Sequence, residues 1–93
     1  MIKTFKSKET AALFLNKKVR RIPVAIRQIA RRKLLQLHSI RYLDELYVPP
    51  GNRLEALKGD RLGFYSIRVN KQWRVCFVWQ DGDAYDVEIV DYH

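Results

Sequence analysis

The fold is decided by residues 64–93, FYSIRVNKQWRVCFVWQDGDAYDVEIVDYH. Apolar side chains alternate along this segment in three runs: Tyr65, Ile67 and Val69; Trp73, Val75, Phe77 and Trp79; and Tyr85, Val87 and Ile89. A period of two predicts β-strands that place one face on a core and the other in water. The predicted exposed face carries Ser66, Arg68, Asn70, Arg74, Cys76, Asp86 and Glu88.

The strand register follows because paired residues must share a face. The first hairpin is predicted to turn at residues 70–72, which places Arg68 directly opposite Arg74. Such a pair of like charges is destabilising unless an anion lies close to it. The second hairpin turns at residues 80–84 and pairs Val75 with Ile89, or slips by two residues. Either register returns residues 91–93 to the end of the sheet that holds both arginines.

Two helices are predicted before this sheet. Ser7 can cap the first helix, with Lys17 and Lys18 in its last turn, where the helix dipole favours cations. The apolar side of this helix is Ala12, Leu13 and Leu15. Pro23 suits the start of the second helix, in which Ile26, Ala30, Leu34 and Leu37 form one apolar stripe. His38, near the end of that helix, is predicted to be either a cation of its last turn or a plain surface residue.

Further strands are predicted at residues 2–6, before the helices, and at residues 53–58, after them. The second of these strands follows a Pro-Pro-Gly-Asn loop at residues 49–52. The sequence therefore predicts a single α+β domain over residues 1–93. In it, two N-terminal helices pack on one face of a mostly antiparallel, twisted sheet of four to five strands. The opposite face of the sheet, with Arg68 and Arg74, is expected to stay open to solvent.

Charge is distributed unevenly along the chain, whose net charge is +8. Residues 1–41 hold 12 Lys and Arg against one Glu, whereas residues 42–93 hold 6 against 9 Asp and Glu. A concentrated basic surface is typical of proteins that bind nucleic acid or an acidic partner, although a solubilising helix face is the alternative. The residues predicted to bind RNA phosphates are Lys17, Lys18, Arg20, Arg21, Arg27, Arg31 and Arg68.

Several classes of protein are disfavoured by composition. No apolar run approaches the ~20 residues of a membrane span, so no membrane association is predicted. Cys76 is the single cysteine, which rules out an internal disulfide and agrees with a cytoplasmic protein. Cys and His do not cluster, so we expect neither a metal site nor a cofactor.

The candidate catalytic residues are Glu55, Lys58, Arg74, Asp91, Tyr92 and His93. Cations around a histidine and a tyrosine suit metal-free cleavage of RNA, in which the 2′-hydroxyl is the nucleophile. The protein then has to take the hydroxyl proton, protonate the leaving 5′-oxygen and neutralise charge on the phosphate. A histidine that titrates near ~6.5 suits either proton transfer, and Lys or Arg suits the phosphate.

Three stretches resemble the HigB-type toxins of the RelE superfamily of toxin–antitoxin systems. They are GNRLEALKGD at residues 51–60, SIRVN and WRV at residues 66–70 and 73–75, and VEIVDYH at residues 87–93. The resemblance extends from residue 2 to residue 93. It implies a ribosome-dependent endoribonuclease that cleaves mRNA in the ribosomal A site and blocks translation. It also implies a HigA-type helix-turn-helix antitoxin as partner, with operator DNA bound only through the antitoxin complex.

By position in the HigB pattern, Lys58 and Arg74 stabilise the phosphate, while Asp91, Tyr92 and His93 complete the site. Some members carry a histidine three residues before the lysine, where this chain has Glu55. The general base is therefore either Glu55 or His93 assisted by Tyr92. Two other functions fit the same fold: a non-catalytic toxin, such as the ParE-type inhibitors of DNA gyrase, and an RNA- or ribosome-binding module. The joint presence of Lys58, Arg74 and His93 favours the endoribonuclease.

Overall fold

The structure, a computed structural model, describes residues 1–91. Its two helices are α1, Lys8–Phe14, and α2, Val24–Ser39. The strands are β1, Glu55–Ala56; β2, Phe64–Arg68; β3, Trp73–Gln80; and β4, Asp83–Asp91. They form one antiparallel sheet in the order β1-β2-β3-β4. The predicted α+β architecture, with two helices on a sheet of four strands, is confirmed.

The core lies between the helices and one face of the sheet. All four predicted stripe residues of α2 are buried, and Leu13 of α1 joins them. They pack in one cluster with the inward side chains of the strands: Ile67, Val75, Phe77, Val87 and Ile89. No helix within residues 1–91 has the length and hydropathy needed to span a membrane.

Helix α1 is shorter than predicted, and Lys17 and Lys18 lie beyond it. The cap by Ser7 is confirmed, because its hydroxyl accepts from the Thr10 N–H at 3.2 Å. The helix ends where Asn16 adopts a positive φ of 60°, and the Lys17 N–H then bonds back to the Ala12 carbonyl at 2.8 Å. Asparagine tolerates this left-handed conformation, so Asn16 was the stop signal in the sequence. Leu15, assigned to the apolar side, is 59% exposed.

The first residues of the chain run beside β4 without forming a regular strand. Two isolated parallel bridges join Ile2 to Ala84 and Phe5 to Val87. His38 lies in the last turn of α2, as predicted, but it is half-buried and no plain surface residue, because its Nδ1 accepts from the Ile2 N–H at 3.1 Å. Its ring also packs 5.2 Å from that of Phe14. His38 therefore ties the N-terminal segment to the end of α2.

The hairpin registers agree with the sequence pattern, apart from one bulge. Arg68 pairs with Arg74, and Val75 pairs with Ile89, as predicted. The second turn is only Asp81 and Gly82, both at positive φ, which matches the right-handed twist of the strands.

A bulge follows in β4 near Asp86, whose φ is also positive at 52°. The bulge shifts the alternation, so that Ala84 pairs with Trp79 on the core face. Tyr85, which was predicted to face the core, pairs with Val78 on the opposite face. The predicted strand at residues 53–58 is also shorter than expected, since only Glu55 and Ala56 pair with β2.

Candidate active site

The sheet face opposite the helices was predicted to be exposed, and this prediction is wrong at its centre. Ser66 and Cys76 are fully buried, and Arg74 is only 8% exposed. Two cross-strand rows form this centre, Glu55–Ser66–Cys76–Glu88 and Arg68–Arg74–Val90. The reason is that the long Arg74 side chain does not extend into solvent. It lies across the sheet over its neighbours in β2 and β1.

Arg74 is held by three polar groups on that path. Its Nε donates to the Ser66 hydroxyl at 2.8 Å and its Nη2 to the Arg53 carbonyl at 2.6 Å. Its Nη1 lies 3.1 Å from Oε1 of Glu55, with which it forms an ion pair. The carboxylate of Glu55 thus offsets part of the charge of Arg74, which lies opposite Arg68 in the sheet. The planar fork of arginine is fixed in one orientation by these contacts.

The loop before β1 aims the Arg53 carbonyl at Arg74. Arg53 has a positive φ of 45°, a conformation that non-glycine residues rarely adopt. The preceding Asn52 is fully buried, and its amide nitrogen donates to the carbonyls of Leu46 at 3.1 Å and Val48 at 3.3 Å. Its amide oxygen accepts from the ammonium of Lys33. Asn52 therefore fixes the loop, and through Arg53 the loop fixes Arg74.

Burial lowers the pKa of Lys33, and the neighbouring charge of Arg32 lowers it further. Neither Asn52 nor Lys33 stands out in the sequence as a part of the site. The Pro-Pro-Gly-Asn loop was its only signal, since a polar residue that ends such a turn commonly bonds the backbone around it.

The other predicted catalytic residues lie around Arg74 to different degrees. Lys58 is exposed and immediately precedes the 3₁₀ turn Gly59–Arg61, three residues beyond Glu55. Asp91 is opposite Trp73 at the end of β4, and its carboxylate accepts from Nε2 of Gln72 at 3.1 Å. The structure therefore brings Glu55, Arg68 and Arg74 together and places Asp91 in the row next to Arg74. Tyr92 and His93 lie outside the described residues.

Two further cations stand on this face, and the sequence analysis missed both. The guanidinium carbon of Arg61 is 5.9 Å from the centre of the Phe64 ring, and Nζ of Lys6 is 5.8 Å from it. The pKa of the Cys76 thiol is raised by its burial and by Glu88, against the opposing charges of Arg61, Arg74 and Lys6. A thiol held neutral is a poor nucleophile, so Cys76 is a packing residue here.

Within residues 1–91, no three His, Cys, Asp or Glu side chains are grouped closely enough to hold a metal ion.

The predicted phosphate-binding residues of the first half form a groove on the helical side of the molecule. Its volume is about 650 Å³, and its basic lining consists of Lys17, Lys18, Arg20, Arg27, Arg31 and Arg32. Leu13, Val19 and Leu35 contribute apolar surface to the same groove. Arg21 does not line it, although its N–H, like that of Arg20, donates to the carboxylate of Glu9. Glu9 thereby anchors the basic connection between the two helices.

The described residues combine two helices on one face of an antiparallel sheet with a buried arginine on the opposite face, and comparison with known proteins identifies the chain as a RelE-like toxin. The sequence profile described as "RelE-like toxin of type II toxin-antitoxin system HigB" matches residues 3–93. Toxin HigB-1 of Vibrio cholerae is 46% identical over 69 residues, covering 74% of this chain and 73% of that protein. Endoribonuclease HigB of Proteus vulgaris is 35% identical over 97 residues, covering 100% of both chains. The chain belongs to the HigB family of type II toxin–antitoxin toxins, as its sequence motifs indicated.

Solved structures of other toxins share the fold. YafQ of E. coli superposes with a TM-score of 0.56 at 11% identity, over 98% of this chain and 93% of that one. The structure of the YoeB–YefM complex from Staphylococcus aureus contains a chain that superposes with a TM-score of 0.52 at 16% identity. That match covers 100% of this chain and 98% of the other. At such low identity the likeness extends to the fold alone, since function depends on the residues of the site.

Proposed function

We propose that this protein is an endoribonuclease that cleaves mRNA on the ribosome and thereby inhibits translation. The observation that carries the proposal is the Arg74–Glu55 pair. It sets a fixed guanidinium beside a half-exposed carboxylate, the two charges that RNA cleavage needs next to one phosphate. The full-length similarity to Endoribonuclease HigB of Proteus vulgaris supports the same activity.

In the proposed reaction the RNA 2′-hydroxyl attacks the adjacent phosphorus. Glu55 takes the hydroxyl proton, because its carboxylate is next to the guanidinium that binds the phosphate. Arg74 and Lys58 neutralise the charge that grows on the phosphate oxygens. His93 gives a proton to the leaving 5′-oxygen, and Asp91 and Tyr92 complete the site as the HigB pattern implies. The products are a 2′,3′-cyclic phosphate and a 5′-hydroxyl.

Ribosome binding is assigned to the basic groove. Lys17, Lys18 and Arg20 are exposed along its rim, and Arg27 is oriented by the bond from its Nε to the Ile22 carbonyl at 2.6 Å. A set of cations with apolar surface between them suits rRNA, whose phosphates and sugars are both available. The groove lies on the helical side and the catalytic residues on the opposite face of the sheet. The protein can thus hold the ribosome with one surface and present the other to the mRNA.

Membership of a toxin–antitoxin family implies an antitoxin encoded with the toxin, and we propose a helix-turn-helix protein of the HigA type. Operator DNA is then bound only through the antitoxin complex, as the HigB pattern implies. Expression of the toxin alone should arrest growth, and co-expression of the antitoxin should restore it.

The decisive experiment is cleavage of a defined mRNA by purified protein, with and without programmed ribosomes. Cleavage within the A-site codon that requires ribosomes is the expected result, and primer extension maps the cut. Co-sedimentation with ribosomes over a salt series measures how strongly ribosome binding depends on the charges of the groove. Occupancy should fall steeply with salt, and a variant with Lys17, Arg20 and Arg27 changed to Gln should have a shallower slope. Equal cleavage of free mRNA would remove ribosome dependence, and inhibition of DNA gyrase without any cleavage would favour the ParE-type function.

A further inference from the structure

Lys6 and Arg61 converge on one aromatic ring from opposite edges of the sheet. The main chain of Lys6 lies beside β4, where its N–H donates to the Val87 carbonyl at 3.0 Å. Arg61 belongs to the 3₁₀ turn between β1 and β2. Even so, both cations reach the Phe64 ring, at 5.8 and 5.9 Å from its centre. An aromatic face attracts cations at this distance and keeps them in place without cancelling their charge.

Neither cation forms an ion pair with an acidic side chain among residues 1–91. The ion pairs within residues 1–91 are Met1 with Asp83 and Arg74 with Glu55, and neither includes Lys6 or Arg61. Nη1 of Arg61 is shielded from solvent and has no hydrogen-bond partner among the described residues. Glu88, which lies opposite Cys76 on this face, is in no ion pair among the described residues. The exposed ammonium of Lys6 and the neighbouring guanidinium of Arg61, which form no ion pair among the described residues, favour an external anion.

The cluster is close to Arg74 and on the same face. Phe64 precedes Ser66 by two residues in β2, and Ser66 accepts the bond from Nε of Arg74. Two residues of a strand correspond to about 7 Å. The charges of Arg61, Arg74 and Lys6 also act on the same buried thiol, that of Cys76. One strip of this face therefore holds four cations, Arg68, Arg74, Lys6 and Arg61, with Glu55 and Glu88 at the two ends of the row between them.

We propose that Lys6 and Arg61, held over Phe64, form a second phosphate subsite that binds the RNA backbone next to the phosphate at Arg74. The inference rests on the proposed function, since it takes single-stranded RNA as the ligand of this face. The subsite recognises a backbone phosphodiester and no base, so it adds affinity and fixes the direction of the strand across Arg74. This arrangement holds the scissile phosphate at the Glu55–Arg74 pair.

The test uses a short RNA that cannot be cleaved, with 2′-O-methyl groups at every position, and measures its binding by fluorescence anisotropy at low salt. In a series of these RNAs, each phosphate in turn is replaced by an uncharged methylphosphonate. Arg61→Gln and Lys6→Gln should each weaken binding about 10-fold, the usual effect of losing a charged hydrogen bond. Each variant should also lose the sensitivity of the wild type to one particular methylphosphonate. The matched controls, Lys3→Gln and Arg41→Gln, remove exposed cations outside the strip and should keep that sensitivity.

The subsite would be overturned if the effects of substitution and methylphosphonate were simply additive. In that case the wild type and both variants would be equally sensitive at every phosphate position. A wild type whose binding depends on no single phosphate would also overturn it. Lys6→Gln keeps the test valid if Arg61→Gln does not fold, because the Lys6 side chain is exposed. The probe is never cleaved, so this result is separate from the proposed reaction. If the protein proves to have no nuclease activity, the variants can still lose their sensitivity to one phosphate, and the subsite stands. If the protein is an active nuclease and that loss is not seen, only the subsite is overturned.

Discussion

Arg74 and Glu55 form an ion pair with 3.1 Å between Nη1 and Oε1, and the two side chains differ sharply in exposure, 10% against 51%. A pair with one half-exposed partner contributes only about 0–1 kcal/mol to stability, because water screens it. Its importance is positional, since it fixes a carboxylate beside a guanidinium. The stability of this region comes instead from the buried bonds of Arg74 to Ser66 and to the Arg53 carbonyl.

Arg74→Lys should therefore damage both stability and activity, although it keeps the charge. A lysine ammonium cannot reproduce the fork that joins Ser66, Arg53 and Glu55, so buried acceptors lose their donor. We expect a loss of about 1–3 kcal/mol in the free energy of unfolding. The cleavage rate should fall by about 100-fold or more. Urea denaturation and single-turnover cleavage measure the two effects.

Arg68→Lys is the matched control, because Arg68 pairs with Arg74 in the sheet and is less buried. Its stability should change by no more than about 0.5 kcal/mol. If Arg74→Lys unfolds at the same urea concentration as the wild type, the contacts of Arg74 with Ser66 and Arg53 do not stabilise the fold.

Asn52→Ala should lower stability and, through the loop, activity. Its side chain is fully buried and donates to the carbonyls of Leu46 and Val48. Removing it takes away the bond to the Leu46 carbonyl and the acceptor of the Lys33 ammonium, at a cost of about 1–3 kcal/mol, whereas the Val48 carbonyl keeps its bond from Nε2 of Gln36. We expect a lower melting temperature and slower cleavage even when the protein is measured far below that temperature. Gln36→Ala removes its bonds to the Asn52 amide and to the Val48 carbonyl but leaves the bond of Asn52 to the Leu46 carbonyl, so it should have a smaller effect on both.

The strands and the core could be predicted from sequence because period-two and helical patterns report burial directly. The pairing of Arg68 with Arg74, and the buried stripe of α2, followed from those patterns alone. The bulge near Asp86 could not be predicted, since one residue in the left-handed region shifts the alternation without changing composition. Tyr85 was misplaced for that reason.

The candidate site was only partly predictable. Family motifs identify Glu55 and Arg74, but a pattern of polar residues cannot show that a long side chain will lie over the sheet and become buried. The contributions of Asn52 and Lys33 depend on contacts between distant segments, from Lys33 in α2 to the loop at residues 49–52. Lys6 and Arg61 are separated by most of the chain, so only the folded sheet reveals that they share the Phe64 ring.

The Cys76 thiol should make stability depend on pH in the alkaline range. Burial raises its pKa, so the folded protein holds the thiol proton more tightly than the unfolded chain does. The stabilising contribution is present below the unfolded pKa of about 8.5 and is lost as pH rises above it. The free energy of unfolding of the wild type relative to Cys76→Ala should therefore decline from pH 8 to pH 10. If the difference in the free energy of unfolding between the two proteins stays constant over this range, the pKa of the thiol is the same in the folded and unfolded protein.

Glu55→Gln separates the base from its role as a partner of Arg74. The amide oxygen of glutamine can still accept from Nη1, so the free energy of unfolding should change by less than about 1 kcal/mol. The cleavage rate should fall by about 100-fold or more, because an amide cannot take the 2′-hydroxyl proton. Single-turnover cleavage on programmed ribosomes gives the rate. A rate near that of the wild type would move the role of base to His93.

His93→Gln tests the other proton transfer, and the substrate can be chosen to distinguish the two roles. Loss of a general acid should slow cleavage by about 100-fold or more. Replacing the leaving 5′-oxygen of the RNA with sulfur removes the need for an acid, because a thiolate leaves without a proton. The sulfur substrate should therefore restore the rate of His93→Gln and leave Glu55→Gln slow. Rescue of Glu55→Gln instead would exchange the two assignments, and a fast His93→Gln on the natural substrate would exclude His93 from the proton transfers altogether.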